Sequence, residues 1–322
     1  MYINKYFHLF FCFILITFVS SCVPGRTVQV KSYALQSNCH KQNKAPLSSK
    51  TYEPVEEIIQ DTALLTRFSS SSLHVANAIG LLPMLEKLIK HEYIIDNEPS
   101  IEDKVDYLFL KQQILERIEL ASLEISGTAS EMDCEEERAD QIAYMLMQKE
   151  NSQERKLTVA AITVGALIAI ASGVIYARNP DSPHVDGVGI IGGVAEVGLG
   201  LSILFLNKKV NFSHRRNPLK AFWYNDNEEG IFPSSVWYYL NQKNEGEMSV
   251  RQELIQKWIS LEQMPAEGDK HYERDLNLYL GEGGRYTAEQ LSNRANMLDQ
   301  LEAQINLMQK ELKQLISEII YR

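Results

Sequence analysis

The stretch LTVAAITVGALIAIASGVIYA, Leu157–Ala177, decides the fold because it carries no charged side chain. About 20 apolar residues in a helix are enough to cross the hydrocarbon core of a bilayer. The stretch follows the charged, amphipathic segment EEERADQIAYMLMQKENSQERK, and no proline interrupts the sequence from Glu135 to Ala177. One continuous helix is therefore expected. Its charged first half would lie in water, and its uncharged second half would lie in lipid or in a protein interior.

A second apolar stretch, GVGIIGGVAEVGLGLSILFL, Gly187–Leu206, follows the proline-containing connector RNPDSPHVD. It opens with G-x-G-x-x-G, but a dinucleotide site needs a strand before this motif and an acid about 20 positions after it. A polar loop precedes the motif, and lysines at 208 and 209 stand where the acid belongs. We therefore reject the nucleotide site and predict a helical hairpin over residues 157–206, either inserted in a membrane or buried in a helical core.

Small residues recur on both stretches: Ala161, Gly165, Ala169 and Gly173 on the first, Gly189 and Gly193 on the second. Such residues let helix backbones approach closely in lipid, so these positions are predicted to pack the hairpin. Glu196 lies in the middle of the second stretch, where a carboxylate is costly unless it faces protein or water. Glu196 is therefore the candidate functional acid of the hairpin.

Basic residues flank the hairpin on both sides, Arg155 and Lys156 before it and Lys208 and Lys209 after it. Both ends of a hairpin lie at the same membrane face, so these charges would share that face. In an exported protein they would lie outside the cytoplasm, against the positive-inside tendency.

The N-terminus, MYINKYFHLFFCFILITFVSSC, has one early lysine and an apolar run too short to span a bilayer, which predicts a signal peptide over residues 1–21. The segment Val19-Ser20-Ser21-Cys22 resembles the lipobox of bacterial lipoproteins. The resemblance implies acyl chains on Cys22 and stable attachment to a membrane. Val23 rather than Asp follows Cys22, and no acidic run follows either. The resemblance therefore further implies an outer-membrane protein that faces the periplasm. Residues 22–50 are polar and are predicted to be a flexible tether.

Composition narrows the classes of partner. The chain has 322 residues and a formal net charge of −10, which argues against nucleic acid as a partner. Apart from Cys12 and Cys22, the cysteines are Cys39 and Cys134. They either form a disulfide in an oxidising compartment or remain two unrelated thiols.

The rest of the chain predicts a mainly α protein. Residues 51–156 have the pattern of a helical bundle, with a helix opening at Ser100 and ending at Gly127. Residues 207–248 are aromatic and basic, forming either an interfacial belt or the core of a compact subdomain. Residues 249–322 hold a short helix and a C-terminal coiled-coil helix with apolar residues seven apart from Leu291 to Ile319. This coiled coil closes on the same chain or pairs with a second protomer or a protein partner.

Motifs for catalysis and metal binding are absent from the sequence, including H-E-x-x-H, C-x-x-C, G-x-S-x-G and the P-loop. We therefore predict no catalytic residue, metal ligand or cofactor. The expected function is non-enzymatic: a lipid-anchored scaffold or subunit of an envelope or secretion assembly. The alternative is a membrane-inserting protein whose architecture resembles α-helical pore-forming toxins, although the proline-broken aromatic segment departs from their long returning helix. An envelope enzyme of unknown chemistry is the lesser alternative.

Overall fold

The computed structural model describes residues 38–39, 55, 62–179, 184–204, 206–243 and 248–321. The predicted signal peptide and Cys22 lie outside the described residues, as does most of the predicted tether. The described chain is mainly α-helical, which confirms the predicted fold class.

Ten helices and two short strands form the described ranges. The helices are α1 (Thr62–Arg67), α2 (Ser70–Ala78), α3 (Leu82–Ile95), α4 (Ile101–Arg178), α5 (His184–Leu204), α6 (Pro218–Tyr224), α7 (Ser234–Asn241), α8 (Val250–Ser260), α9 (Tyr272–Leu280) and α10 (Ala288–Ile320). Strands β1 (Val210–Ser213) and β2 (Gly283–Tyr286) pair with each other.

Helix α4 begins directly after Ser100, where the sequence predicts its start. The Asp103 carboxylate accepts the backbone N–H of Ser100 at 2.9 Å, and the Asp103 N–H donates to the Ser100 hydroxyl at 3.0 Å. These reciprocal bonds satisfy donors that have no partner inside the first helical turn. Five apolar residues at helical spacing in its first half are buried: Leu110, Ile114, Ile118, Ala121 and Ile125.

The predicted end of this helix at Gly127 is wrong, because α4 continues without a break to Arg178. An interior glycine costs a helix only about 1 kcal/mol relative to alanine. Ile125, Ala129 and Met132 are all buried around it. Their packing outweighs that cost.

Helix α10 buries the predicted positions seven apart, Leu291, Leu298, Ile305, Leu312 and Ile319. The apolar residues between them, Leu301, Met308 and Leu315, are buried as well. Gln309 accepts a hydrogen bond from the Ser122 hydroxyl and donates one to the Ser122 carbonyl, so α10 packs against α4 of the same chain. Of the two alternatives for the coiled coil, the structure shows closure within the chain. Arg294 is a charged residue within the first heptad of this helix; it is fully buried and donates to Tyr279 O and Asn217 Oδ1.

The aromatic segment forms a small core, one of its two predicted alternatives. Phe212, Phe222 and Phe232 are buried. The Phe222 ring centroid lies 5.3 Å from that of buried Trp258, and Phe232 stacks on Trp237 at 5.4 Å. Aromatic pairs at these separations add stability beyond the area that they bury.

Two compact units divide the described residues. The hairpin unit comprises the described residues within 141–211 and 285–290, and the helical body comprises those within 32–140, 212–284 and 291–322. A disulfide in the helical body joins Cys39 and Cys134, which are 95 residues apart in sequence with Cα atoms 5.6 Å apart. Of the two alternatives for these cysteines, the structure shows the bonded one.

Candidate membrane-binding hairpin

The second half of α4 exposes apolar side chains around much of its circumference. By length and composition this helix could cross a membrane, and none of its apolar window is buried. Six large apolar residues of this half are 48–67% exposed: Val159, Ile162, Leu167, Ile170, Val174 and Tyr176. The described residues therefore do not bury this helix as the core alternative required.

Helix α5 has the same character over a shorter apolar length, Gly187–Ile203. Ile190, Val194, Val197 and Leu201 are 49–69% exposed. Monomeric proteins in water rarely expose contiguous apolar patches larger than a few hundred Å². The outer surface of the hairpin is thus suited to lipid or to a protein partner.

The two helices of the hairpin approach each other at Gly165 and Gly192. A Cβ atom placed on Gly192 would lie 2.6 Å from Cδ1 and 2.8 Å from Cγ2 of Ile168. A Cβ atom on Gly165 would lie 2.9 Å from Oε1 of Glu196. Each glycine therefore leaves room for a side chain of the facing helix, and the Glu196 carboxylate lies over the backbone of Gly165.

Most of the other predicted small residues lie elsewhere. Ala169 is exposed, and within the described residues nothing lies within 4 Å of a Cβ atom built on Gly173, Gly189 or Gly193. Ala161 is half-buried. The predicted GxxxG pair faces outward, and Gly192, which the GxxxG rule passes over, makes the close approach. The helix is apolar on all sides, so the sequence spacing could not identify its contact face.

Lysines from distant parts of the sequence meet at the base of the hairpin. The backbone N–H of Lys208 donates to Oε1 of Glu150 at 2.7 Å, and its ammonium donates to the Lys149 carbonyl at 3.4 Å. Burial lowers the pKa of Lys208, as do the positive charges of Lys149 and Lys156, while Glu150 opposes the shift. The base therefore holds several cations close together.

The helical body contains buried polar groups of a structural kind. The Arg138 guanidinium lies 2.6 Å from Oε2 of Glu135 and 4.1 Å from the centroid of the Phe212 ring. His214 is 2% exposed, and burial, followed by the charges of Arg294 and Arg138, lowers its pKa to about 2. A histidine held neutral in this way packs the core and exchanges no proton near neutral pH.

Groups of three or more metal-binding side chains do not occur among the described residues. An open groove between α4 and α10 is lined by residues that include Ile118, Ser122, Leu312 and Lys313, and none of its lining residues is a carboxylate. Among the described residues, the exposed apolar hairpin is therefore the candidate functional site. No family model, no curated protein and no solved structure matches the chain.

Proposed function

We propose that this chain is a non-enzymatic membrane-inserted protein of the bacterial envelope, in which residues 157–206 enter the bilayer and the helical body serves as a scaffold or assembly subunit. The exposed apolar surface of the hairpin is the observation that carries the proposal. Water is a poor solvent for that surface, and lipid is a good one.

The free energy of transfer favours lipid by a wide margin. Ten large apolar side chains of the hairpin are 48–69% exposed. Full burial of such a side chain contributes about 1.5–3 kcal/mol. At roughly half exposure the ten together contribute on the order of 10 kcal/mol.

The Glu196 carboxylate opposes insertion but does not outweigh this gain. A charged side chain at the centre of a membrane helix costs about 2.5–3.5 kcal/mol on insertion scales. Gly165 leaves space for this carboxylate on the facing helix. One side of this exposed side chain thereby faces the neighbouring helix rather than lipid.

Two further elements fit an envelope location. The Cys39–Cys134 disulfide is typical of oxidising compartments such as the periplasm. Acylation of Cys22, as its lipobox implies, would attach the chain to the outer membrane on the periplasmic side. The proposed protein is then held at the membrane by a lipid and by a hairpin.

An environment-sensitive fluorophore tests insertion directly. The dye NBD is attached to a cysteine at Ile162 or Val194 in the full chain carrying Cys12→Ser and Cys22→Ala, with the Cys39–Cys134 bond kept oxidised. Leu123→Cys is the matched control, because Leu123 is 65% exposed on the amphipathic half of the same helix.

Insertion predicts that quenchers carried by lipid acyl chains quench NBD at positions 162 and 194, whereas aqueous iodide does not. The label at position 123 should show the opposite behaviour. Equal iodide quenching at all three positions on vesicles would refute the proposal.

Pore formation is the second candidate, favoured by the same exposed hairpin on a helical body. Release of a trapped dye from the same vesicles separates it from a scaffold. Insertion without leakage supports the scaffold, and leakage that disappears when residues 157–206 are replaced by a Gly/Ser linker supports a pore.

A further inference from the structure

Five basic residues stand at the base of the hairpin, where its apolar helices begin and end. They are Lys149, Arg155 and Lys156 at the end of the charged part of α4, and Lys208 and Lys209 after α5. Only Glu150 and Glu154 offset them in these two segments, which leaves a formal charge of +3 in a chain of net charge −10. These two segments are therefore positively charged, although the whole chain has a negative net charge.

Hydrogen bonds hold the two basic segments together. The Lys208 N–H donates to Glu150 and the Lys208 ammonium donates to the carbonyl of Lys149, so residue 208 is fixed beside α4. The first of these bonds engages one oxygen of the Glu150 carboxylate, and Lys149 and Lys156 are exposed.

From this arrangement we propose that Lys149, Lys156 and Lys208 bind the phosphate headgroups of anionic phospholipids at the base of the hairpin. The inference rests on the proposed insertion of the hairpin. It adds the chemical class of lipid and the membrane face at which the base stays.

The position of the lysines favours a lipid headgroup over a soluble anion. Lys156 directly precedes Leu157, the first residue of the uncharged stretch, and Lys208 follows Leu206, the last apolar residue of the second stretch. With the hairpin in a bilayer, these ammonium groups stand at the level of the phosphates. Lysines near an anionic surface each strengthen membrane binding by about fivefold.

The charges at the other end of the hairpin agree with this orientation. The connector carries Arg178, Asp181 and Asp186, a formal charge of −1 with His184 neutral. Attraction to anionic headgroups therefore acts on the base and not on the connector. The base stays at the face from which the hairpin enters, and the connector is the end that crosses.

Vesicle flotation tests the site with the full chain carrying Cys22→Ala. Vesicles of phosphatidylcholine are compared with vesicles that also contain phosphatidylglycerol. The test variant is Lys149→Gln/Lys156→Gln/Lys208→Gln, and the matched control is Lys87→Gln/Lys90→Gln/Lys104→Gln, which removes three exposed lysines of the helical body.

We expect the unaltered chain to prefer the anionic vesicles, and the test variant to bind them on the order of 100-fold more weakly. The control variant and a charge-preserving Lys149→Arg/Lys156→Arg/Lys208→Arg variant should retain the preference. Added salt should reduce it through screening. Because Lys208 is partly buried, the double variant Lys149→Gln/Lys156→Gln gives a second reading, with a loss of roughly 30-fold.

Equal binding of the unaltered chain to both kinds of vesicle, or equal losses in the test and control variants, would overturn the lipid site. NBD at Val194→Cys distinguishes this failure from failure of the proposed function. Lipid quenching in both kinds of vesicle leaves insertion standing and removes only the headgroup site. Iodide quenching in both removes insertion, and with it the site.

Discussion

Acidification should destabilise the helical body through His214. Burial and the charges of Arg294 and Arg138 lower the pKa of His214 from 6.5 to about 2 in the folded protein. Below pH 6.5 the unfolded chain therefore binds a proton at His214, whereas the folded chain binds it only near pH 2. The free energy of unfolding falls through this window with a limiting slope of about 1.4 kcal/mol per pH unit, so the loss reaches about 2 kcal/mol at pH 5.

Urea denaturation followed by tryptophan fluorescence, to which buried Trp258 contributes, measures this loss at pH 7 and pH 5. Glu136, Glu302 and Glu311 have pKa values raised by burial, and they act in the opposite sense. The decisive quantity is therefore the pH-dependent change in stability of the wild type minus that of His214→Gln. His271→Gln, at an exposed histidine, should behave as the wild type does. Parallel losses in the wild type and His214→Gln would refute a buried neutral imidazole.

Three further substitutions test the packing and the hairpin. Leu301→Ala, at a fully buried position of α10, should lower the free energy of unfolding in urea by about 2–5 kcal/mol, whereas Leu307→Ala, at a position 45% exposed, should change it by about 0.5 kcal/mol or less. When the helical signal of the hairpin is melted in micelles, Gly192→Val should lower the stability of the hairpin by about 1–3 kcal/mol. Gly193→Val should not, because Gly192 lies against the facing helix and Gly193 does not. Glu196→Ala should increase binding to neutral vesicles on the order of 100-fold, since it removes the one charge within the apolar segment of α5; unchanged binding would place this side chain outside the bilayer.

Periodicity was sufficient to predict α10 but not the environment of its irregular position. The seven-residue spacing predicts a buried seam, and positions from Leu291 to Ile319 are buried as expected. Arg294 breaks that pattern in sequence because its acceptors, Tyr279 O and Asn217 Oδ1, lie outside α10. A local pattern contains no information about such partners.

The low helix propensity of Gly127 also led to a wrong prediction of where the helix ends. Gly127 has weak helix propensity, but propensity is a small term beside the packing of its buried neighbours. The outward position of Gly189 and Gly193 has a related cause. When every face of a helix is apolar, only the facing side chain, here Ile168 against Gly192, identifies the contact.

The apolar character of a helix was easier to predict from the sequence than the pairing of two cysteines. The absence of charge from Leu157 to Ala177 predicted an apolar helix, and the structure exposes that helix within the described residues. Cys39 and Cys134 could not be paired from sequence, because no periodic pattern connects residues 95 positions apart. In the structure their Cα atoms lie 5.6 Å apart.

The Cys39–Cys134 bond also limits how far a lipid on Cys22 could lie from the helical body. For a chain acylated at Cys22, only 17 residues separate the lipid from Cys39, a fully extended reach of about 60 Å. Because Cys134 belongs to α4, the bond keeps the acyl chains within that distance of the helix whose second half enters the bilayer in the proposed function. One covalent bond thus ties both proposed points of membrane attachment to the same helix.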